Sequence, residues 1–211
     1  MKYFSALLLI MLVNIPGLLA EDGYRLWLRY EPIQNAEDLS HYKNAVQQIV
    51  IKEESKTFDI IKSELNRAFT GMLKDPIPVT NTLNKNGGLV IGTEESPLIN
   101  SLNLTNSLEQ VGKEGFLIQN REIEGKACII IAANTDVALL YGTFHFLKLI
   151  QTREKLTHID ISQKPKIDRS VLNHWDNLDR TVERGYAGFS LWDWHKLPDY
   201  TKPRYKDYAR A

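Results

Sequence analysis

Cysteine is nearly absent from this sequence. Its 211 residues include one, Cys128, so no disulfide can form within the chain and burial with hydrogen bonding must hold the fold. Cys128 lies inside Ala127-Cys128-Ile129-Ile130-Ile131-Ala132. That run predicts a buried strand, and the thiol reads as a small inert core group, not a nucleophile. Excess charge is missing too: 26 basic residues balance 26 acidic ones. Such a balance gives no electrostatic pull toward nucleic acid or an anionic membrane, and neither is expected as a partner. No glycine-rich loop is spaced to cradle a phosphate. The histidines are scattered, and His158 and Asp160 lack the spacing of a metal site with other ligands, so neither metal nor cofactor is expected. Internal repeats, low-complexity tracts and long charge runs are also lacking.

No apolar run reaches the roughly 20 residues that a spanning helix needs. The longest, Tyr3 to Val13, is broken only by Ser5 and follows Lys2. Asn14 and Pro16-Gly17 interrupt it, and Leu18-Leu19-Ala20 ends on a small residue before Glu21-Asp22. Residues 1–20 are therefore expected to be a secretory signal peptide cleaved after Ala20, with the mature chain secreted or periplasmic and free of membrane attachment.

What is present begins with alternating helices and strands. Tyr42 to Ile51 leads into a strand whose apolar part is Ile49-Val50-Ile51. Phe58, Ile61, Leu65, Ala68, Phe69 and Met72 recur at helical spacing and predict a helix over 56–73, capped by Ser55 or Thr57, with Lys62, Glu64 and Arg67 on its wet face. Pro76 and Pro78 hold Ile77 to Val79 extended. Leu89 to Gly92 is a short strand after the Asn86-Gly87-Gly88 turn. Ser96 to Val111 predicts a weaker helix, and 115–119 with 126–132 a hairpin joined through 120–125. Glu53-Glu54 and Glu94-Glu95 read as solvated turns or helix starts. Asn134 or Thr135 caps a last helix with Val137, Leu140, Phe144, Leu147 and Ile150 at apolar positions. This alternation predicts an α/β fold, a small α/β sandwich over 21–164, closed by the linker Lys164-Pro165-Lys166. The leading segment with Tyr24, Trp27 and Tyr30 is too apolar to float free, and Trp27 is expected to pack onto that domain.

The remaining stretch has a different composition. From Arg169 to Tyr208, Trp175, Trp192 and Trp194 stand among Asn173, Asp176, Asn177, Asp179 and Asp193. Flat rings cover the apolar face of a sugar while carboxylates and amides take its hydroxyls, so the mixture suits a carbohydrate site. Ser170-Val171-Leu172 reads as a short buried strand, with polar and aromatic residues at its exit, as at the rim of a (β/α) barrel. Trp175 is assigned to the wall of a substrate pocket. Asp176 and Asn177 are placed on sugar hydroxyls or neighbouring side chains. Arg184 is placed on a substrate carboxylate, which its planar fork matches, with an ion pair to Asp176 or Asp179 as the equal alternative. Trp192 and Trp194 favour packing.

The runs Asn173 to Asp179, Glu183 to Gly188 and Ser190-Leu191-Trp192-Asp193-Trp194 resemble the start of the catalytic barrel in the xylan α-glucuronidases of glycoside hydrolase family 67. Glu21 to Tyr30 resembles that family's N-terminal signature, and Ala133 to Leu149 resembles the non-catalytic domain that precedes the barrel in β-hexosaminidase-like and α-glucuronidase enzymes. The resemblance implies hydrolysis, with inversion, of the α-1,2 bond between (4-O-methyl)glucuronic acid and xylose in xylan-derived oligosaccharides. It also implies a homodimer for the full-length enzyme. Inversion needs an acid and a base roughly 6.5–9.5 Å apart. The resemblance places both beyond Ala211, so Asp176, Asp179 and Glu183 are not assigned as catalytic. From Pro165 to Ala211 there are 47 residues, against the roughly 200–250 of a complete barrel. Residues 165–211 are thus expected to hold the first βα segment of an incomplete TIM barrel. Two alternatives are a free-standing carbohydrate-binding or scaffold domain, and a fragment of a β-hexosaminidase-like glycosidase.

Overall fold

The computed structural model describes residues 23–167, 171, 173, 175–183, 186 and 188–211. The expected signal peptide, Ser170, Leu172 and Arg184 lie outside the described residues. The described chain forms two compact units, a large one of Tyr30–His195 and a small one that joins 23–29 to 196–211.

The large unit is a mixed α/β fold around one six-stranded sheet in the order β2-β1-β3-β5-β4-β6. Its elements in chain order are α1 (Ala36–Ala45), β1 (Gln48–Val50), α2 (Lys56–Leu73), β2 (Val79–Thr80), β3 (Gly88–Thr93), α3 (Pro97–Asn100), α4 (Thr105–Val111), β4 (Phe116–Ile123), β5 (Lys126–Ala133), α5 (Asp136–Gln151) and β6 (Asp160–Gln163). Strands β2, β1, β3 and β5 run parallel, with Ile49 opposite Leu89 and Leu89 opposite Ile129. Strands β4 and β6 complete the sheet as antiparallel members.

Alternation along the strands divides the core in two. Val50, Val90, Ile130 and Leu117 point to one face, where they pack with Ile99, Leu108 and Val111 of α3 and α4. Neighbouring residues point the opposite way, and there Gly142 of α5 lies against Ile131 and Phe116. Helix α2 packs beside α5 and buries Phe58, Ile61, Leu65, Ala68, Phe69 and Met72, the residues that its spacing predicts. Each large side chain so buried contributes about 1.5–3 kcal/mol of transfer free energy. Ser55 caps α2 by accepting from the Phe58 N–H at 3.3 Å, and its hydroxyl donates to Asp136 at the start of α5, 2.6 Å away. Thr135 caps α5 through the Ala138 N–H, while the Asn134 amide donates to the Leu108 and Gly112 carbonyls and so closes the end of α4.

Several expectations need correction. Tyr42 belongs to a helix, α1, which Asn35 caps by accepting from the Asp38 N–H, and not to the approach of β1. The helix expected over 96–111 is broken in two, because Asn103 takes a left-handed φ of 53° between α3 and α4. The hairpin strands run on to Ile123 and resume at Lys126, leaving a two-residue turn of Glu124 and Gly125 with φ of 51° and 71°, the geometry that suits strand twist. In α5 the buried residues are Ala138, Leu139, Gly142, Thr143, Phe146, Leu147 and Ile150, so Val137, Leu140 and Phe144 were placed on the wrong phase. Glu53 and Glu54 stand at a helix start, just before the Ser55 cap of α2, but Glu53 is not fully solvated, since its Oε1 is buried without a hydrogen bond. Cys128 is buried as expected, and desolvation pushes its thiol up to about 11.

Glu64 is the clearest reversal. Far from lying on a wet face, it is 3 % exposed and accepts a 2.6 Å hydrogen bond from the Tyr30 hydroxyl. A buried carboxylate must keep its donors or carry the desolvation penalty. Tyr30→Phe is therefore expected to lower stability by about 1.5–3 kcal/mol, read as a lower urea midpoint with an unchanged slope.

In the small unit, helix α6 (Pro203–Arg210) starts on a proline whose missing N–H costs nothing at that position. The Tyr24 hydroxyl donates to Asp207 Oδ2 at 2.9 Å and the Trp27 Nε1–H to the Ala211 carbonyl at 3.1 Å. Trp27 belongs to this unit, not to the sheet domain named for it above. Among the described residues no helix is long and apolar enough to cross a membrane.

Candidate functional site

The segment 171–195 carries the residues singled out for sugar binding. It is organised by turns and short bridges, not by long strands. Asp176 bridges Val182, and Thr181 bridges Phe189. Asp179 accepts from both the N–H (2.9 Å) and the hydroxyl (2.7 Å) of Thr181, which makes an Asx-type turn. Those two bonds hold the Asp179 carboxyl below its usual range, so it suits neither a proton donor nor a raised base. The Glu183 N–H donates to the Trp175 carbonyl at 3.0 Å and the Ser190 N–H to the Arg180 carbonyl at 2.8 Å, which fold the segment back on itself. Tyr186 hydrogen-bonds Glu183, and the carboxylate raises the phenol above its usual value.

Trp175 presents its indole to solvent, 64 % exposed. Directly after it, Asp176 is half-buried and turned inward. Its Oδ2 accepts from the Ser190 hydroxyl at 2.5 Å and from the Trp194 Nε1–H at 2.9 Å. The Ser190 oxygen in turn accepts from the Trp192 N–H at 2.9 Å. Trp192 and Trp194 stack with ring centroids 5.5 Å apart and planes 27° from parallel, an offset arrangement that the ring quadrupoles favour. The Asn177 amide donates to the Thr181 hydroxyl at 2.8 Å and also to the Glu183 carbonyl. Below this network Asp193, 2 % exposed, accepts from Arg180 Nη2 at 2.5 Å.

The structure thus brings Trp175, Asp176 and Asn177 into one folded segment and gives them different duties. Trp175 offers a free ring face. Asp176 and Asn177 spend polar atoms on Ser190, Trp194, Thr181 and Glu183. The sequence reading missed Arg180, Asp193 and Ser190 as organisers, because their partners stand 13 and 14 residues away and no local spacing marks them. The expected buried strand around Val171 is absent at that residue, which is 78 % exposed. Leu178, Tyr186 and Phe189 also stand exposed, so the segment shows water more apolar area than isolated surface residues would.

Comparison with known proteins points to one family. Residues 26–146 match the model of the glycosyl hydrolase family 67 N-terminus, and residues 149–211 match that of the family's middle domain. The chain is 29% identical over 218 residues to alpha-glucuronidase A of Emericella nidulans, covering 98% of this chain and 24% of the relative. It is 26% identical over 213 residues to the probable alpha-glucuronidase A of Aspergillus oryzae, covering 100% of this chain and 24% of that protein. The alpha-glucuronidase of Hypocrea jecorina is 26% identical over 201 residues, 88% of this chain and 23% of its own length. The chain therefore spans about a quarter of the curated relatives that it matches. With more than half of its residues matched to the N-terminal model alone, the chain belongs to glycosyl hydrolase family 67.

Proposed function

We propose that this chain is the N-terminal portion of a secreted α-glucuronidase that removes α-1,2-linked (4-O-methyl)glucuronic acid from xylan-derived oligosaccharides with inversion. The exposed Trp175 ring, set on a segment locked by Asp176, is the observation that carries the reading. An apolar platform held rigid from below is what stacking against a pyranose requires, since a mobile ring would lose its ordering entropy on binding. On this reading the sheet unit is the small α/β sandwich of the β-hexosaminidase-like type, and the segment beyond Lys164 opens the catalytic barrel. The exposed Val171, Leu178 and Phe189 then serve as faces for further barrel elements. The general acid and base reside beyond Ala211. Arg184 pairs with the substrate carboxylate or, as the equal alternative, with Asp176 or Asp179.

The test is a titration and an activity assay on the same sample, with aldotriouronic acid as probe. The chain is expected to release no glucuronic acid while binding the sugar saturably, and Trp175→Ala is expected to weaken binding by about tenfold or more, about 1.4 kcal/mol or greater. Unchanged binding in that variant would remove Trp175 from the site. Clear turnover by the 211 residues would overturn the placement of acid and base and turn attention to Asp176, Asp179 and Glu183.

A further inference from the structure

A second concave site lies on the sheet unit, in the groove between α5 and the loop that leads into β6. Its volume is about 510 Å³, within the range of small-ligand sites. One wall is a stripe of α5 at helical spacing, His145, Lys148 and Leu149, continued by the C-cap Thr152; the other carries Lys155, Thr157 and His158. The loop is fixed in place, not draped. The Tyr42 hydroxyl donates to the Glu154 carbonyl at 2.9 Å and the Leu156 N–H donates to His41 Nε2 at 3.0 Å. The Asn120 side chain donates to the Leu156 carbonyl at 3.1 Å and accepts from the Ile159 N–H at 2.5 Å. Within this pinned loop His158 holds a left-handed φ of 61°.

The charges of the groove are unequal. Lys148 makes no ion pair among the described residues. Lys155 meets Asp38 at 3.7 Å and Glu37 at 4.0 Å, long and exposed contacts that contribute at most about 1 kcal/mol. Two acids belong to the same walls, Glu154 and Asp160. Asp160 stands opposite Gln119 on β4 and accepts from its amide at 2.6 Å. Gln119 pairs in register with Ile130, whose side chain faces α3 and α4. The Asp160 carboxylate is therefore turned to the sheet face away from α5, so Glu154 is the acid of the walls themselves, and Asp38 and Glu37 of α1 reach only Lys155, leaving Lys148 to lead the attraction. His145 rests against the Phe116 ring with centroids 5.4 Å apart, and burial followed by the nearby Lys148 lowers its ring below the usual value. It meets a ligand as a neutral donor and acceptor.

We propose that this groove is a second, non-catalytic site for a carboxylate-bearing sugar. Lys148 and Lys155 take the carboxylate, and Thr152, Thr157 and the two imidazoles take ring hydroxyls. The choice of a uronic sugar over another small hydroxylated carboxylate rests on the function proposed above; the charge and rigidity of the groove do not. Such a site would hold an acidic side group of a longer glycan while another group occupies the Trp175 segment, and raise the effective concentration of the second by tethering.

The experiment uses the 211-residue chain with sodium D-glucuronate, D-glucose and inorganic phosphate as separate probes, followed by the histidine ring resonances in NMR. Saturable glucuronate binding is expected to move the His145 and His158 signals, to be about tenfold weaker for glucose, and to fall by about tenfold in Lys148→Ala while persisting in Trp175→Ala. Lys148 is exposed, so its variant keeps the fold. Equal binding by Lys148→Ala, or still signals at both histidines, would overturn the proposal. Binding that disappears only in Trp175→Ala would also overturn it and leave the reading of the Trp175 segment standing. Phosphate binding as tight as glucuronate would reduce the groove to a general anion site and reject a sugar role.

Discussion

Gly142→Val is expected to destabilise the sheet unit by about 2–4 kcal/mol. Helix α5 crosses the sheet at this glycine. A Cβ built there would stand 2.7 Å from Ile131 Cγ2 and 3.2 Å from the Phe116 ring. Neither neighbour can yield cheaply. Ile131 is buried in β5, which is paired with β3 on one side and β4 on the other, and the Phe116 ring already rests against the His145 ring. Helix propensity acts in the other direction, since a residue with a side chain gains up to about 1 kcal/mol over glycine in a helix. For alanine the two effects partly offset, and a smaller loss of about 1–2 kcal/mol is expected. Valine adds two methyl groups to the same overlap and stiffens χ1. Chemical denaturation of wild type, Gly142→Ala and Gly142→Val should therefore give a graded series of midpoints. A midpoint unchanged in the valine variant would mean that α5 can slide away from the sheet, against its close packing.

How much of this was legible in the sequence differs from element to element. Helix α2 has one apolar stripe, so its period gave both its ends and six of the apolar residues that it buries. Helix α5 packs against the sheet and also against α2. Its apolar residues spread around the axis, the period blurs, and the phase was misread. Helix α1 buries only Tyr42, so it offers almost no stripe and went unseen. Strands β2 and β6, two and four residues long, are defined by pairing with β1 and β4, not by their own composition. Glu64 shows the same limit in one residue. The return of Tyr30 to α2, from 34 positions earlier in the chain, gives a buried donor to a charged residue that its own helix period puts on the wet face. In the candidate site the proposed platform residue, Trp175, is singled out by composition, as an aromatic among amides and carboxylates. The engagement of Asp176 is not. Its partners Ser190 and Trp194 follow 14 and 18 residues later, and their approach depends on the backbone bonds that fold 175–190 back.

Asp176→Ala should release the Trp192–Trp194 pair while leaving the sheet intact. One carboxylate oxygen holds the Ser190 hydroxyl and the Trp194 indole N–H, and the Ser190 oxygen holds the Trp192 N–H. Removing the carboxylate therefore takes away the acceptor of the Trp194 indole N–H and of the Ser190 hydroxyl together, and loosens the ring against which Trp192 stacks. Hydrogen bonds to a charged group contribute about 1.5–3 kcal/mol when buried. Asp176 is half-buried, so water can replace part of this, and a local loss of about 1–2 kcal/mol is expected. That corresponds to roughly a tenfold rise in local opening. Near-ultraviolet circular dichroism reads the stacked indoles, and its amplitude is expected to fall. The unfolding midpoint of the sheet, read in the far ultraviolet, is expected to hold. Asp176→Asn gives the intermediate case, since its one carbonyl oxygen can still accept from one of the two donors. If Asp176 instead served mainly as a direct ligand of the sugar, the alanine variant would lose glucuronate binding at the Trp175 segment with its indole signal unchanged. Loss of both together, with partial recovery of both in the asparagine variant, is the outcome that assigns Asp176 to holding the platform on which Trp175 stands.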